Sequence, residues 1–218
     1  MVSIETIRIL LRRKYIHYTS IFRKKLLKNL DFTIISNNCW GGFIYQSYNL
    51  PYQTPTIGLY FMADDYILFL ENLDYCLEAN LSFIEPGMSK YYNILNNTHN
   101  FGKYPIGIIY LDELKMIEIH FLHYTNQTEA LKKWNNRKKR INKDKMIIKF
   151  SDQNNCNMDI IRRFEALPYK NKVFFGTNKY TNDTIYIKGP RNYQYLPTSY
   201  EPFGNSAKFN VTKYINNL

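Results

Sequence analysis

Between residues 33 and 42 the chain reads Thr-Ile-Ile-Ser-Asn-Asn-Cys-Trp-Gly-Gly, a short β-branched apolar run that breaks into two amides and a thiol, then into paired glycines. The residues that follow, Phe43 to Tyr48, are compatible with a helix. A strand, a tight loop and a helix start are thus compressed into one stretch. A strand fed so directly into a helix belongs to an α/β layer. In an open sheet of that kind ligands sit at the carboxyl ends of the strands, where the loop is exposed and the helix N-terminus offers unpaired N–H groups. Residues 37–42 are therefore read as half of an active site.

The alternation continues along the chain. Residues 57–61 read as a second buried strand, and Asp64 or Asp65 can cap the helix that carries Tyr66, Phe69, Leu70 and Leu73. Residues 81–84 suit a short strand, and 86–103, rich in Asn, Gly and Tyr, suit a long connection. Residues 104–110 and 117–123 read as a hairpin. The next helix opens with a capping-box pair, Asn126 and Glu129, and ends in Arg137-Lys138-Lys139-Arg140. A strand at 146–151, a helix at 158–167 stopped by Pro168, and strands at 172–176 and 184–188 complete the pattern, which fades beyond Gly189-Pro190. This order predicts an α/β layered fold, with a mixed, mostly parallel sheet flanked by helices. No repeat or linker divides residues 31–218, which are expected to form a single α/β domain.

Residues 1–30 stand apart as a basic amphipathic helix spanning 4–29. Arg8, Arg12, Arg13, Lys14, Arg23, Lys24, Lys25 and Lys28 face the single acid Glu5 among Ile7, Leu10, Leu11, Tyr18, Phe22, Leu26 and Leu27. Such a helix suits an anionic bilayer surface, and equally a packed helix with a solvated basic face. The formal charge of +11 points to anionic partners. No nucleic-acid recognition motif accompanies it, so no nucleic-acid partner is expected. With 45% hydrophobic residues the chain is too apolar for disorder. Three scattered cysteines, Cys39, Cys76 and Cys156, argue against a disulfide framework or structural zinc. No apolar run reaches the roughly 18 residues of a membrane span, and no signal-peptide segment is visible. The expected location is cytoplasmic, with a peripheral position on the inner face of the membrane if the first helix binds lipid.

Several of these stretches together resemble a known family: Ile35-Ser36-Asn37-Asn38-Cys39-Trp40-Gly41-Gly42, Pro55-Thr56-Ile57-Gly58-Leu59, Asp65-Tyr66-Ile67, Ile119-His120-Phe121-Leu122-His123-Tyr124, Trp134 through Asn142, Lys149-Phe150-Ser151-Asp152, and Leu167-Pro168 before Lys170-Asn171-Lys172-Val173. The chain is similar over these residues to the bacterial domain of unknown function numbered 1919, whose members are often labelled exopolysaccharide biosynthesis proteins. The resemblance implies an α/β fold and a role in surface-glycan assembly, with no agreed reaction.

The candidate chemistry divides in two. Cys39, set before a helix N-terminus in a basic protein, could act as a nucleophile, with His120 or His123 as base and Asp152 orienting it. Gly41 and Gly42 would then face the oxyanion. The favoured alternative is that Cys39 packs as a small hydrophobe beside Trp40, with the histidines satisfying local hydrogen bonds. Asn37 and Asn38 offer amides to sugar hydroxyls while Trp40 stacks on a sugar face, or they serve a turn with left-handed geometry. Arg137 and Arg140, three residues apart, share a helical face suited to phosphate oxygens, or belong to a solvated charge run at a helix C-terminus. No metal or cofactor signature is present, and none is expected to be required. The leading reading is transfer of a sugar from a nucleotide-activated donor, with a nucleotide-activated or lipid-linked sugar as partner. Acyl transfer from acetyl-CoA through Cys39 is the second, and a non-catalytic glycan- or membrane-associated accessory role the third. In the favoured arrangement Asn37, Asn38 and the glycines form a binding wall opposite His120, His123 and the Arg137–Arg140 helix.

Overall fold

The computed structural model describes residues 4–189 and 193–218. Along it, α1 (Ile4–Lys24) leads into β1 (Thr33–Ser36), and the paired glycines open α2 (Trp40–Ser47). Next come α3 (Ala63–Glu71), α4 (Leu73–Glu78), β2 (Ser82–Ile84), the single-turn α5 (Tyr92–Leu95), β3 (Ile106–Tyr110), β4 (Met116–His120) and α6 (Gln127–Lys138). The chain continues through β5 (Met146–Ser151), α7 (Met158–Ala166), β6 (Lys172–Gly176), β7 (Thr184–Tyr186) and α8 (Val211–Asn216). Residues 1–3 and Pro190 of the expected turn lie outside the described residues, as do the side chains of Glu5, Arg8 and Arg13.

The strands form two sheets. One is four-stranded and parallel in the order β1-β5-β6-β7; the other is antiparallel in the order β2-β3-β4. The fold is thus α/β with parallel and antiparallel parts, and the hairpin builds its own sheet. Side-chain alternation gives the parallel sheet two apolar faces. Ile35, Ile148, Phe150 and Phe174 pack with residues of α3 and α7, whereas Ile34, Ile147, Val173 and Phe175 pack with residues of α2 and α8. Each of these buried side chains contributes roughly 1.5–3 kcal/mol by leaving water.

Residues 57–61, expected as a strand, make a single ladder bridge at Tyr60 and His120 and otherwise run as an extended connector. The connector joins the sheets. Tyr60 exchanges backbone hydrogen bonds with His120 of β4, and the Phe61 N–H donates to the carbonyl of Asn37 just past β1. Gly58 interrupts ladder geometry with φ +73°. The expected capping pair is present: the Asn126 side chain accepts from Glu129 N at 2.8 Å, and the Glu129 carboxylate accepts from Thr125. The weakly patterned tail forms α8, whose Val211 and Ile215 bury against the parallel sheet.

Candidate functional site

At the carboxyl end of β1 and β5 lies a knot of buried polar side chains. Lys149, in the middle of β5, is wholly buried, and so are Asn37, Ser151 and Glu201. The Lys149 ammonium meets Glu201 Oε1 at 2.5 Å, and donates to Asn38 Oδ1 at 3.0 Å and Ser151 Oγ at 3.2 Å. Asn38 Nδ2 donates to the same carboxylate at 3.1 Å, and Asn38 Oδ1 also accepts from the Trp40 N–H at 3.0 Å, holding the start of α2. Burial pushes the Lys149 pKa down and the Glu201 pKa up, each opposed by the other's charge. The second carboxylate oxygen of Glu201 has no hydrogen-bond partner among the described residues. Removal from water at this depth is tolerated because the ammonium and one carboxylate oxygen pair and hydrogen-bond closely.

Cys39 stands where this knot meets an open cleft. It is the N-cap residue of α2 and is partly exposed. The helix N-terminus places positive potential at its position. The cleft, about 830 Å³ in volume, lies between α1, α2, the connector and α6. Its lining includes His17, Cys39, Gly42, Phe43, Gln46, Tyr52, Gly58, His123, Tyr124, Lys133 and Arg137, with no carboxylate among the lining residues. Arg137 is aimed by a relay: Tyr124 Oη donates to the Ile57 carbonyl at 2.5 Å and accepts from Arg137 Nη1 at 2.6 Å, while Tyr52 lies under the guanidinium at 5.0 Å. No carboxylate pairs with Arg137 among the described residues, whereas Lys133 meets Glu129 at 2.5 Å.

The expected site residues are distributed between knot, cleft and core. Cys39, Gly42, His123 and Arg137 come together in the cleft. Arg140 sits beside it, donating to the Tyr52 carbonyl at 3.2 Å. Asn37 and Asn38 belong to the knot, and the left-handed asparagines are Asn49, Asn154 and Asn155 instead. Trp40 is 1% exposed, donates through Nε1 to the Pro202 carbonyl at 2.6 Å and packs edge-on against Phe175. Gly41 serves close packing: a Cβ there would stand 3.1 Å from Ser36 Oγ and 3.2 Å from Ile34.

His120 and Asp152 are placed away from the cleft. The His120 ring is fully buried, stacked on Tyr60 at 4.6 Å, and burial holds its pKa down to about 3. It is therefore neutral, and its 3.9 Å approach to Glu118 is no ion pair. Asp152 accepts from the Thr177 N–H and hydroxyl, both at 2.7 Å, and from the Leu196 N–H at 2.7 Å, so its carboxylate fastens the loop after β6 and the tail to β5. Three residues of the knot, Lys149, Ser151 and Glu201, were not among the expected site residues. Lys149 was detectable as an ionisable residue inside the apolar run Met-Ile-Ile-Lys-Phe-Ser, while Glu201, in the weakly patterned tail, carried no signal.

The fold and the cleft define an α/β protein with a cationic cleft beside the carboxyl end of its first parallel strand. The model of a domain of unknown function, DUF1919, matches residues 11–218, and the chain belongs to that family. It is also similar to an uncharacterized protein of Haemophilus influenzae, 30% identical over 212 residues, which cover 94% of this chain and 93% of the relative. No helix among the described residues is long and apolar enough to cross a membrane. No group of three or more His, Cys, Asp and Glu side chains among them is placed to hold a metal ion.

Proposed function

We propose that the chain is a transferase of surface-glycan assembly that binds a nucleotide-activated sugar in the cleft between α1, α2 and α6. The observation that carries this reading is Arg137, a guanidinium oriented by Tyr124, in a cleft where neither a carboxylate partner for it nor an acid in the lining is found among the described residues. A forked cation held in that way suits phosphate oxygens. The volume of about 830 Å³ suits a ligand larger than a monosaccharide. In this reading Arg137 stabilises the departing phosphate, and His123 accepts the proton of the acceptor hydroxyl as the glycosidic bond forms. The glycan half of the proposal draws on the family resemblance.

Calorimetric titration with nucleotide sugars tests it. Arg137→Ala should weaken binding by about tenfold or more, the share of one charge-assisted hydrogen bond to phosphate. Unchanged affinity would sink the assignment.

A second reading has a specific observation in its favour: Cys39 and His123 line the same cleft, and Cys39 stands at the N-cap position of α2. A Cys39 thiolate would attack the carbonyl of an acyl-CoA thioester and expel the CoA thiolate. His123 would then take the proton of a glycan hydroxyl as the acyl group moves to it. Cys39→Ser separates the two, since it abolishes acyl transfer through the thiolate and leaves sugar transfer intact.

A further inference from the structure

Helix α1 is amphipathic in the reverse sense from a core helix. The face turned to the protein carries Ile16 and Ser20, both buried, and two arginines: Arg12 donates to the carbonyls of Ser199 and Glu201, and Arg23 to the carbonyl of Phe203. The face turned outward carries Leu11, Tyr18, Ile21 and Phe22, exposed by 63%, 75%, 62% and 70%. At 3.6 residues per turn these positions, with Ile7 and Leu10, fall on one stripe, which runs for about 22 Å from Ile7 to Phe22. Lys14 stands within the stripe, with Lys25 and Lys28 just past the helix end, and all three are exposed.

We infer that this stripe docks on an anionic lipid bilayer, with α1 lying in the headgroup layer. An apolar stripe of this extent marks an interaction surface rather than ordinary exposure. Charge complementarity selects the occupant. A second copy of the chain, paired stripe to stripe, would confine Lys14 in an apolar contact between two chains of formal charge +11. A bilayer lets the lysine stems reach anionic headgroups while Leu11, Ile21 and Phe22 enter the acyl boundary. The docking stands apart from the transfer chemistry, but it has a geometric consequence for it. Ile21 and His17 of α1 also line the cleft, so the cleft opens at headgroup level. A lipid-linked substrate could enter from there.

Co-sedimentation of the full chain with vesicles tests this. Binding is expected to phosphatidylcholine mixed with phosphatidylglycerol, falling with added salt, and not to phosphatidylcholine alone. Leu11→Ser with Phe22→Ser, at exposed positions, should lower binding about tenfold or more with unchanged circular dichroism. Lys14→Glu with Lys25→Glu should do the same through charge. Absence of binding to the mixed vesicles overturns the inference, as does equal binding by both variants. So does a stable dimer in sedimentation that Leu11→Ser with Phe22→Ser dissociates.

Discussion

His120 and His123 are near neighbours in the chain and occupy opposite surroundings. The first points into aromatic packing between Tyr60 and Tyr104; the second lines the cleft. Burial, helped by the Lys90 charge, lowers the His120 pKa from 6.5 to about 3, so folding holds the ring neutral where the unfolded chain would protonate it. The sign follows: the contribution is fully present above pH 6.5 and is lost as the pH falls from there towards 3. The slope from this one group is at most about 1.4 kcal/mol per pH unit. The imidazole resonances of His120 should stay unshifted from pH 8 to about 5 in NMR titration, and urea denaturation should show the loss on acidification, with a flatter profile in His120→Gln. At this scale the sequence was only partly legible. The strand alternation placed His120 in β4, but which histidine enters the core depends on where the strand ends and the chain turns. That turn, with the Leu122 N–H on the His120 carbonyl at 2.9 Å, has no residue signature in Phe121-Leu122.

At the scale of elements, the connector at residues 57–61 organises the cleft. Gly58 holds φ +73°, and a Cβ there would stand 3.2 Å from the Tyr124 ring and 3.4 Å from His123 Cβ. The Gly58 carbonyl meanwhile accepts from the His123 N–H at 2.9 Å. Gly58→Ala therefore strains the backbone and pushes the segment that carries His123 and aims Arg137. A loss of about 1–2 kcal/mol is expected from the left-handed conformation alone, read by denaturant titration. Nucleotide-sugar binding should weaken with it if the cleft is the binding site. The parallel strands, the hairpin and the capped α6 were all readable, because apolar runs, turn residues and Asn126–Glu129 are local signals. The connector was mistaken for a strand since Ile57-Gly58-Leu59-Tyr60-Phe61 has strand composition, and only the partners on either side reveal a joint between sheets.

Across the whole molecule, the buried ion pair of Lys149 with Glu201 joins Asp152 and the apolar side of α8 in holding the tail to the sheet. Lys149→Met leaves the Glu201 carboxylate buried without its cation and should cost about 3–5 kcal/mol in urea denaturation. Adding Glu201→Gln should recover part of that loss, and a double-mutant cycle that comes out additive would refute the coupling. Neither the pair nor the tail's return was readable, because Glu201 lies far from Lys149 in the chain and in a stretch without periodicity. The order of the parallel sheet also has a kinetic side. β5, β6 and β7 are sequential neighbours, joined through α7 and the 177–183 loop, whereas β1 must bring Thr33 to Met146 across α2, α3, α4, the antiparallel sheet and α6. Closing so long a loop costs entropy before any contact rewards it, so the β5–β7 unit and the hairpin are expected to form first. Docking of β1 onto β5 is then the late event, and with it come Cys39, Asn37 and Asn38. The knot that Lys149 and Ser151 form with Asn37 and Asn38 is expected to close at that step, since its two halves come from the ends of the strands that dock then.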